Sequence, residues 1–238
     1  MRTTNRPRLV LASASPARRK LLLAAGIEPE VLVSGVDESQ VDPSTPDALS
    51  LTLAQLKARA VAERLCRENG TTGQADRTAQ QNAAGHEHGT DEGRTLVLGC
   101  DSVLAFDGEI YGKPSSAEDA TERWRQMRGR SGVLHTGHCL IDLRADREVA
   151  EVAATTVHFA TVTDEEIAAY VATGEPLQVA GAFTLDGIGG PFVDRVDGDP
   201  GTVIGLSLPL LRLMLNELDL RITDLWADLT STAGSAPH

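Results

Sequence analysis

Apolar residues fall into short runs and one-sided stripes that alternate along the chain, and the two patterns predict different elements. Residues 9–12 (Leu-Val-Leu-Ala) form a compact apolar run, the pattern of a buried strand. Leu21, Leu22, Leu23 and Ala25 then mark the apolar side of a helix over 17–25, closed by Gly26. Pro16 fits the first turn of that helix, where a missing N–H costs nothing, and Ser15 is its predicted cap. A strand is expected near 30–34, followed by a helix over 47–67 with an apolar face from Leu51 to Leu65. Further on, 95–100 reads as a buried strand, and Asp107-Gly108 as a tight turn into 109–112. Ser116 caps a helix to 127, with Glu118 and Asp119 at its positive end. Residues 132–143 and 151–159 alternate like paired strands, while 164–173 and 206–218 read as helices. Strands alternating with helices, plus hairpins, define an α/β class with a mixed twisted sheet flanked by helices.

The stretch 68–94 breaks this rhythm: it lacks branched aliphatics and any period, and predicts a flexible insert in a single domain over 8–228. His86, His88, Asp91 and Glu92 lie in it and read as part of a polar tract. Residues 1–7 and 229–238 read as tails.

Charge narrows the classes of partner. A net charge of −12 over 238 residues argues against a nucleic-acid binder, because the phosphate backbone would be repelled on average. No apolar run is long enough to cross a membrane, and the basic N-terminus leads into serines, Pro16 and two arginines, not into a signal sequence. Cys66, Cys100 and Cys139 form no metal or redox motif and suit reduced thiols in a cytoplasm.

Within this acidic chain the first strand–turn–helix stands out. It gathers Ser13, Ser15 and the free N–H groups of a helix start, and adds Arg18 and Arg19, whose forked donors suit phosphate oxygens. That combination predicts an anion site, with polyphosphate as the expected ligand and solvated surface charge as the other reading of the arginines. Asp101, set among apolar residues at the expected end or bulge of the strand 95–100, wants a cation, a hydrogen-bond set or a catalytic duty. Asp37-Glu38 adds acid, Gly112-Lys113-Pro114 fixes a lysine at a turn, and a glycine-rich run from 179 to 190 carries Asp186. Trp124 reads as core; His135 and His138 read as strand histidines satisfied by backbone partners, and Tyr170 and Glu175 as structural.

In order, Ser-Ala-Ser-Pro-Ala-Arg-Arg (13–19), Val-Asp-Glu (36–38), Leu-Ala-Gln-Leu-Lys-Ala (53–58), Gly-Cys-Asp-Ser-Val (99–103), Gly-Lys-Pro (112–114), Ala-Gly-Ala-Phe (180–183) and Val-Ile-Gly-Leu (203–206) resemble the Maf family of nucleotide pyrophosphatases. The resemblance implies two lobes around a central cleft, similar to inosine triphosphate pyrophosphatases. It also implies hydrolysis of nucleoside triphosphates to the monophosphate and pyrophosphate with Mg²⁺ or Mn²⁺. On its pattern Asp101, Lys57 and Lys113 are catalytic, Ser13 and Arg18 bind phosphate with Arg19 beside them, and Glu38 and Asp101 hold the metal. Asp186 stands where pyrimidine-specific members carry glutamine. Its acceptor-only carboxylate speaks against a pyrimidine preference. Ser-Pro-x-Arg-Arg (15–19), Val-Asp-Glu (36–38) and Asp-Pro-x-Thr-Val (199–203) resemble the branch acting on 7-methyl-GTP, with pyrimidine triphosphates as the other option and pool sanitation as the role. A homodimer is the family-level expectation. The alternative is a non-catalytic, nucleotide-binding regulator of septum formation.

Overall fold

The computed structural model describes residues 6–38, 41, 45–76 and 93–227, without side chains for 69–76. The tails expected at 1–7 and 229–238 therefore lie outside it, except Arg6 and Pro7. Seven strands form one mixed sheet in the order β2-β1-β3-β5-β6-β7, with β4 paired to β3. They are β1 (Arg8–Leu11), β2 (Glu30–Val31), β3 (Thr95–Phe106), β4 (Glu109–Tyr111), β5 (Ser131–Asp142), β6 (Arg147–Phe159) and β7 (Val193–Asp197). The helices are α1 (Pro16–Ala24), α2 (Pro46–Asp76), α3 (Ala117–Met127), α4 (Asp164–Ala172), α5 (Pro200–Ile204) and α6 (Leu208–Glu217). β1 runs parallel to β2 and β3, and the remaining pairings are antiparallel. The α/β class with a mixed sheet flanked by helices stands.

Alternation along the strands sorts the core. Leu9 and Leu11 of β1 join Leu96, Leu98 and Cys100 of β3 on one face, under Leu22 of α1 and Leu211, Met214 and Leu215 of α6. Val10, Ala12 and Val97 point to the opposite face and pack on Ala54, Ala58, Val61 and Leu65 of α2. The second half of β3 turns Leu104 and Phe106 into another cluster, built on Trp124 and Met127 of α3, Ile167 and Tyr170 of α4, and Phe183. β3 and β5 run through both halves.

Several boundaries differ from expectation, for physical reasons. α2 continues to Asp76, so the first part of the segment read as an insert from residue 68 is helical, and 77–92 with both histidines lie outside the described residues. β3 does not end at Cys100. β5 pairs it without a break from Leu96↔Asp142 to Ala105↔Val133, and Asp101 therefore lies inside the strand, opposite Gly137. Neither β7 nor α5 is among the elements expected from the apolar pattern.

The pairing of β3 is incomplete along one edge. β1 covers one edge of β3 along Thr95–Leu98, and β4 covers the same edge along Leu104–Phe106. Between them, residues 99–103 have β5 as their only strand neighbour among the described residues. Asp101 and Ser102 sit in that gap.

Candidate active site

Asp101 points to the α2 side of the sheet, and α2 lies unusually close there. A Cβ at Gly99 would be driven into the carbonyl oxygen of Ala54, and one at Gly137 into that of Ser50. Both glycines flank Asp101, one two residues back on β3 and one across on β5. They let the helix descend until Lys57 reaches the carboxylate. Lys57 Nζ donates to Asp101 Oδ1 at 2.5 Å and pairs with Glu38 Oε1 at 2.7 Å. The Lys57 and Asp101 side chains are each 12% exposed, while that of Glu38 is 52% exposed. Burial pushes the Asp101 carboxyl above its ordinary value, and the charges of Lys57 and then Arg18 pull it back.

Two carboxylates thus converge on one small cation. A Mg²⁺-type ion is ordinarily held by one or two carboxylates together with substrate phosphates, so Asp101 and Glu38 fit the metal the sequence resemblance implies. Among the described residues no group of three or more histidine, cysteine, aspartate or glutamate side chains could hold an ion unaided.

The other face of the same strand carries the phosphate-type residues. Ser15 caps α1, its Oγ accepting from the Arg18 N–H at 3.4 Å, and Pro16 opens the helix as expected. Ser13 is buried, and its Oγ accepts from the Ser15 N–H at 3.2 Å and from Arg18 Nη1 at 3.0 Å. Arg18 also donates from Nε to the Gly205 carbonyl at 2.8 Å and from Nη2 to Ser102 Oγ at 3.1 Å. Ser102 follows Asp101 and so points to the opposite face, which links the two charge clusters through adjacent residues.

The remaining candidates stand apart. Arg19 and Lys113 are exposed, and no side-chain hydrogen bond or ion pair among the described residues ties them to either cluster; the Arg19 N–H only closes the first turn of α1 onto the Ser15 carbonyl. The turn that carries Lys113 is nonetheless fixed, because the Gly112 carbonyl accepts from Gly181 N–H at 3.1 Å and Arg123 Nη1 at 2.8 Å. Asp186 is exposed on a loop pinned by Glu175. That carboxylate accepts from Tyr170 Oη, Thr184 Oγ1 and the Ile188 and Gly189 N–H groups.

Trp124 is core, donating from Nε1 to the Ala182 carbonyl at 2.7 Å. His138 is fully buried and its Nε2 accepts from the Ser207 N–H at 2.9 Å. His135 departs from the expectation of a backbone partner: its Nδ1 pairs with the Asp47 carboxylate at the start of α2. The cysteines are free thiols, and burial pushes the Cys100 thiol up to about 12. Sequence reasoning passed over Ser102, Thr136 and Thr202. The one available signal was strand alternation, which sets Ser102 on the face opposite Asp101.

A mixed sheet unpaired along part of one edge of β3, with a capped helix start and arginine on one face and a Lys57–carboxylate cluster on the other, defines an α/β protein with charged groups gathered at that gap. The chain belongs to the Maf-like protein family, whose model matches residues 8–218. It is 63% identical to a nucleoside triphosphate pyrophosphatase of Salinispora tropica, over 94% of this chain and 90% of that one. It is 54% identical to a protein of the same name from Streptomyces coelicolor, over 93% and 96% respectively. The crystal structure of a nucleoside-triphosphatase / dITP/XTP pyrophosphatase from Mycobacterium abscessus overlaps 65% of this chain and 75% of its own, at 13% identity and a TM-score of 0.32. No helix among the described residues is long and apolar enough to cross a membrane.

Proposed function

We propose that this chain hydrolyses nucleoside triphosphates between the α and β phosphates, releasing the monophosphate and pyrophosphate. The observation that carries the reading is a buried carboxylate, Asp101, held ready by Lys57 at the gap in the sheet edge. The name of the relatives at 63% and 54% identity supports it. Burial makes Asp101 a stronger base than a solvated aspartate. It takes a proton from a water whose oxygen attacks the α-phosphorus. The bond from that phosphorus to the bridging oxygen breaks, the electron pair leaves with pyrophosphate, and the proton passes on to solvent. Lys57, Lys113, Arg18 and Arg19 stabilise the charge that develops on the phosphates, with Ser13 and Ser15 shaping the loop that receives them. Mg²⁺ or Mn²⁺ held by Asp101 and Glu38 would supply charge neutralisation and a more acidic bound water. Asp186 offers acceptors to the N1–H and amino edge of a guanine-type base, which favours 7-methyl-GTP over dTTP and a role in clearing modified nucleotides.

The test is a pyrophosphate-release panel over ordinary and modified nucleoside triphosphates with either metal. The wild type should turn over, and Asp101→Asn should lose roughly 100-fold or more of kcat while still binding nucleotide. Turnover unchanged in that variant would remove Asp101 from the chemistry, and dTTP outrunning 7-methyl-GTP would overturn the base preference.

A further inference from the structure

Arg18 is one member of a closed hydrogen-bonded ring. Its Nη2 donates to Ser102 Oγ at 3.1 Å, and Ser102 Oγ lies 2.8 Å from Thr136 Oγ1. Thr136 Oγ1 donates to the Thr202 carbonyl at 2.8 Å. That carbonyl also receives the Gly205 N–H at 3.1 Å, and the Gly205 carbonyl returns to Arg18 Nε at 2.8 Å. The direction of every bond is determined. Thr136 has one hydroxyl proton, committed to Thr202, so Ser102 must donate to Thr136 and can offer Arg18 only a lone pair. Ser102 therefore cannot also donate to a phosphate while the ring is closed. Thr136 and Thr202 are fully buried, so the link between them lacks a competing water.

A guanidinium carries one N–H on Nε and two on each terminal nitrogen. Arg18 spends one from each nitrogen on Gly205, Ser13 and Ser102. One donor remains on each terminal nitrogen for a phosphate oxygen, in an orientation set by groups far apart in the chain. We infer that Ser102 and Thr136 are positioning residues: through this ring they fix the Arg18 fork, and they tie the phosphate loop to β3 beside Asp101 and to the end of α5. The inference rests on the hydrolase reading above and adds residues to that site.

The experiment is a double-mutant cycle on kcat and KM for pyrophosphate release, with Thr136→Val, Arg18→Ala and the pair. Thr136→Val should lower kcat roughly 10- to 100-fold, the scale of a misplaced reacting geometry, and Thr136→Ser should retain most of the rate. In the Arg18→Ala background, Thr136→Val should cost nothing further. Equal losses in both backgrounds would overturn the inference, since a merely structural threonine acts with or without Arg18. So would a Thr136→Val enzyme with wild-type kcat. If Thr136→Val fails to fold, Ser102→Ala in the same cycle decides, being only half-buried. No turnover by wild type would refute the hydrolase reading alone. The same cycle read by calorimetric affinity for inorganic pyrophosphate then tests the ring, with additive losses overturning it.

Discussion

A carboxylate in the interior of a long strand is tolerated here because one lysine neutralises it from above. Lys57 and Asp101 are both nearly buried; removing Lys57 strips Asp101 of its ion-pair partner in a poor solvent, whereas removing Asp101 leaves Lys57 only the half-exposed Glu38. His138 shows the same logic without a counterion. It is buried beneath the Ser207 N–H, which it accepts at Nε2, so the neutral ring carries its proton on Nδ1. Burial, aided by Arg18, lowers its pKa from 6.5 to about 4. As pH falls through 6.5 the unfolded chain gains a proton at this residue that the folded chain refuses until about pH 4. Stability should therefore drop across that window, by up to about 3 kcal/mol for this residue, and level off below it. Thermal melts of wild type and His138→Gln between pH 7.5 and 4 check this. The wild type should lose Tm more steeply, and parallel curves would contradict it. Ser15 and Asp101 were legible as individual residues because one completes and the other violates a local pattern, and Lys57 only through the resemblance of Leu-Ala-Gln-Leu-Lys-Ala (53–58). The partners of Arg18 were not, since Gly205 lies 187 residues away and a sequence pattern carries no such contact.

Elements set how near those residues come. α2 crosses the sheet over two side-chain-free positions, Gly99 and Gly137, and its backbone occupies the space a Cβ would need. In Gly137→Ala the obstacle is the Ser50 carbonyl and the Leu51 N–H, which cannot swing aside as a side chain can. α2 would have to lift, carrying Lys57 away from Asp101. Destabilisation of roughly 1–3 kcal/mol or more is expected, with activity falling by a larger factor than Thr136→Val produces. Thermal denaturation and the pyrophosphate assay measure the two losses, and a stable, active Gly137→Ala would refute the close-packing account. The same close approach explains why helix boundaries were only partly readable. The apolar stripe of α2 ends near Leu65 and residues 66–68 are exposed, but the helix continues to Asp76. β3 presents the converse: Asp101 interrupts its apolar run, while the ladder to β5 continues underneath. β7, Val-Asp-Arg-Val-Asp, is a charged edge strand and does not show the apolar signature that marks interior strands.

At the scale of the whole molecule, the gap beside Asp101 lies where two half-cores share the same strands. One half packs α1, α2 and α6 against β1 and the start of β3; the other packs α3 and α4 against its end. The alternation of strands and helices made the class legible, but the gap at 99–103 arises from which strands pair, a non-local fact. Two lobes around a cleft suggest independent units, yet the continuous β3–β5 and β5–β6 ladders oppose that, because neither half can open without breaking strands the other uses. Unfolding should therefore be a single transition. The chain has two tryptophans, one in each half. Trp124 is buried edge-on against Phe159, Tyr170 and Phe192, whereas Trp226 is 42% exposed and pairs with Ile27. Trp226→Phe leaves Trp124 as the sole reporter of the α3–α4 half, while far-UV circular dichroism is dominated by the helices of the other half, α2 above all. In urea the two signals and the loss of pyrophosphate release should coincide. If Trp124 reports a midpoint of its own, the ladders do not couple the halves, and Asp101 would then sit on a hinge between independently folding units.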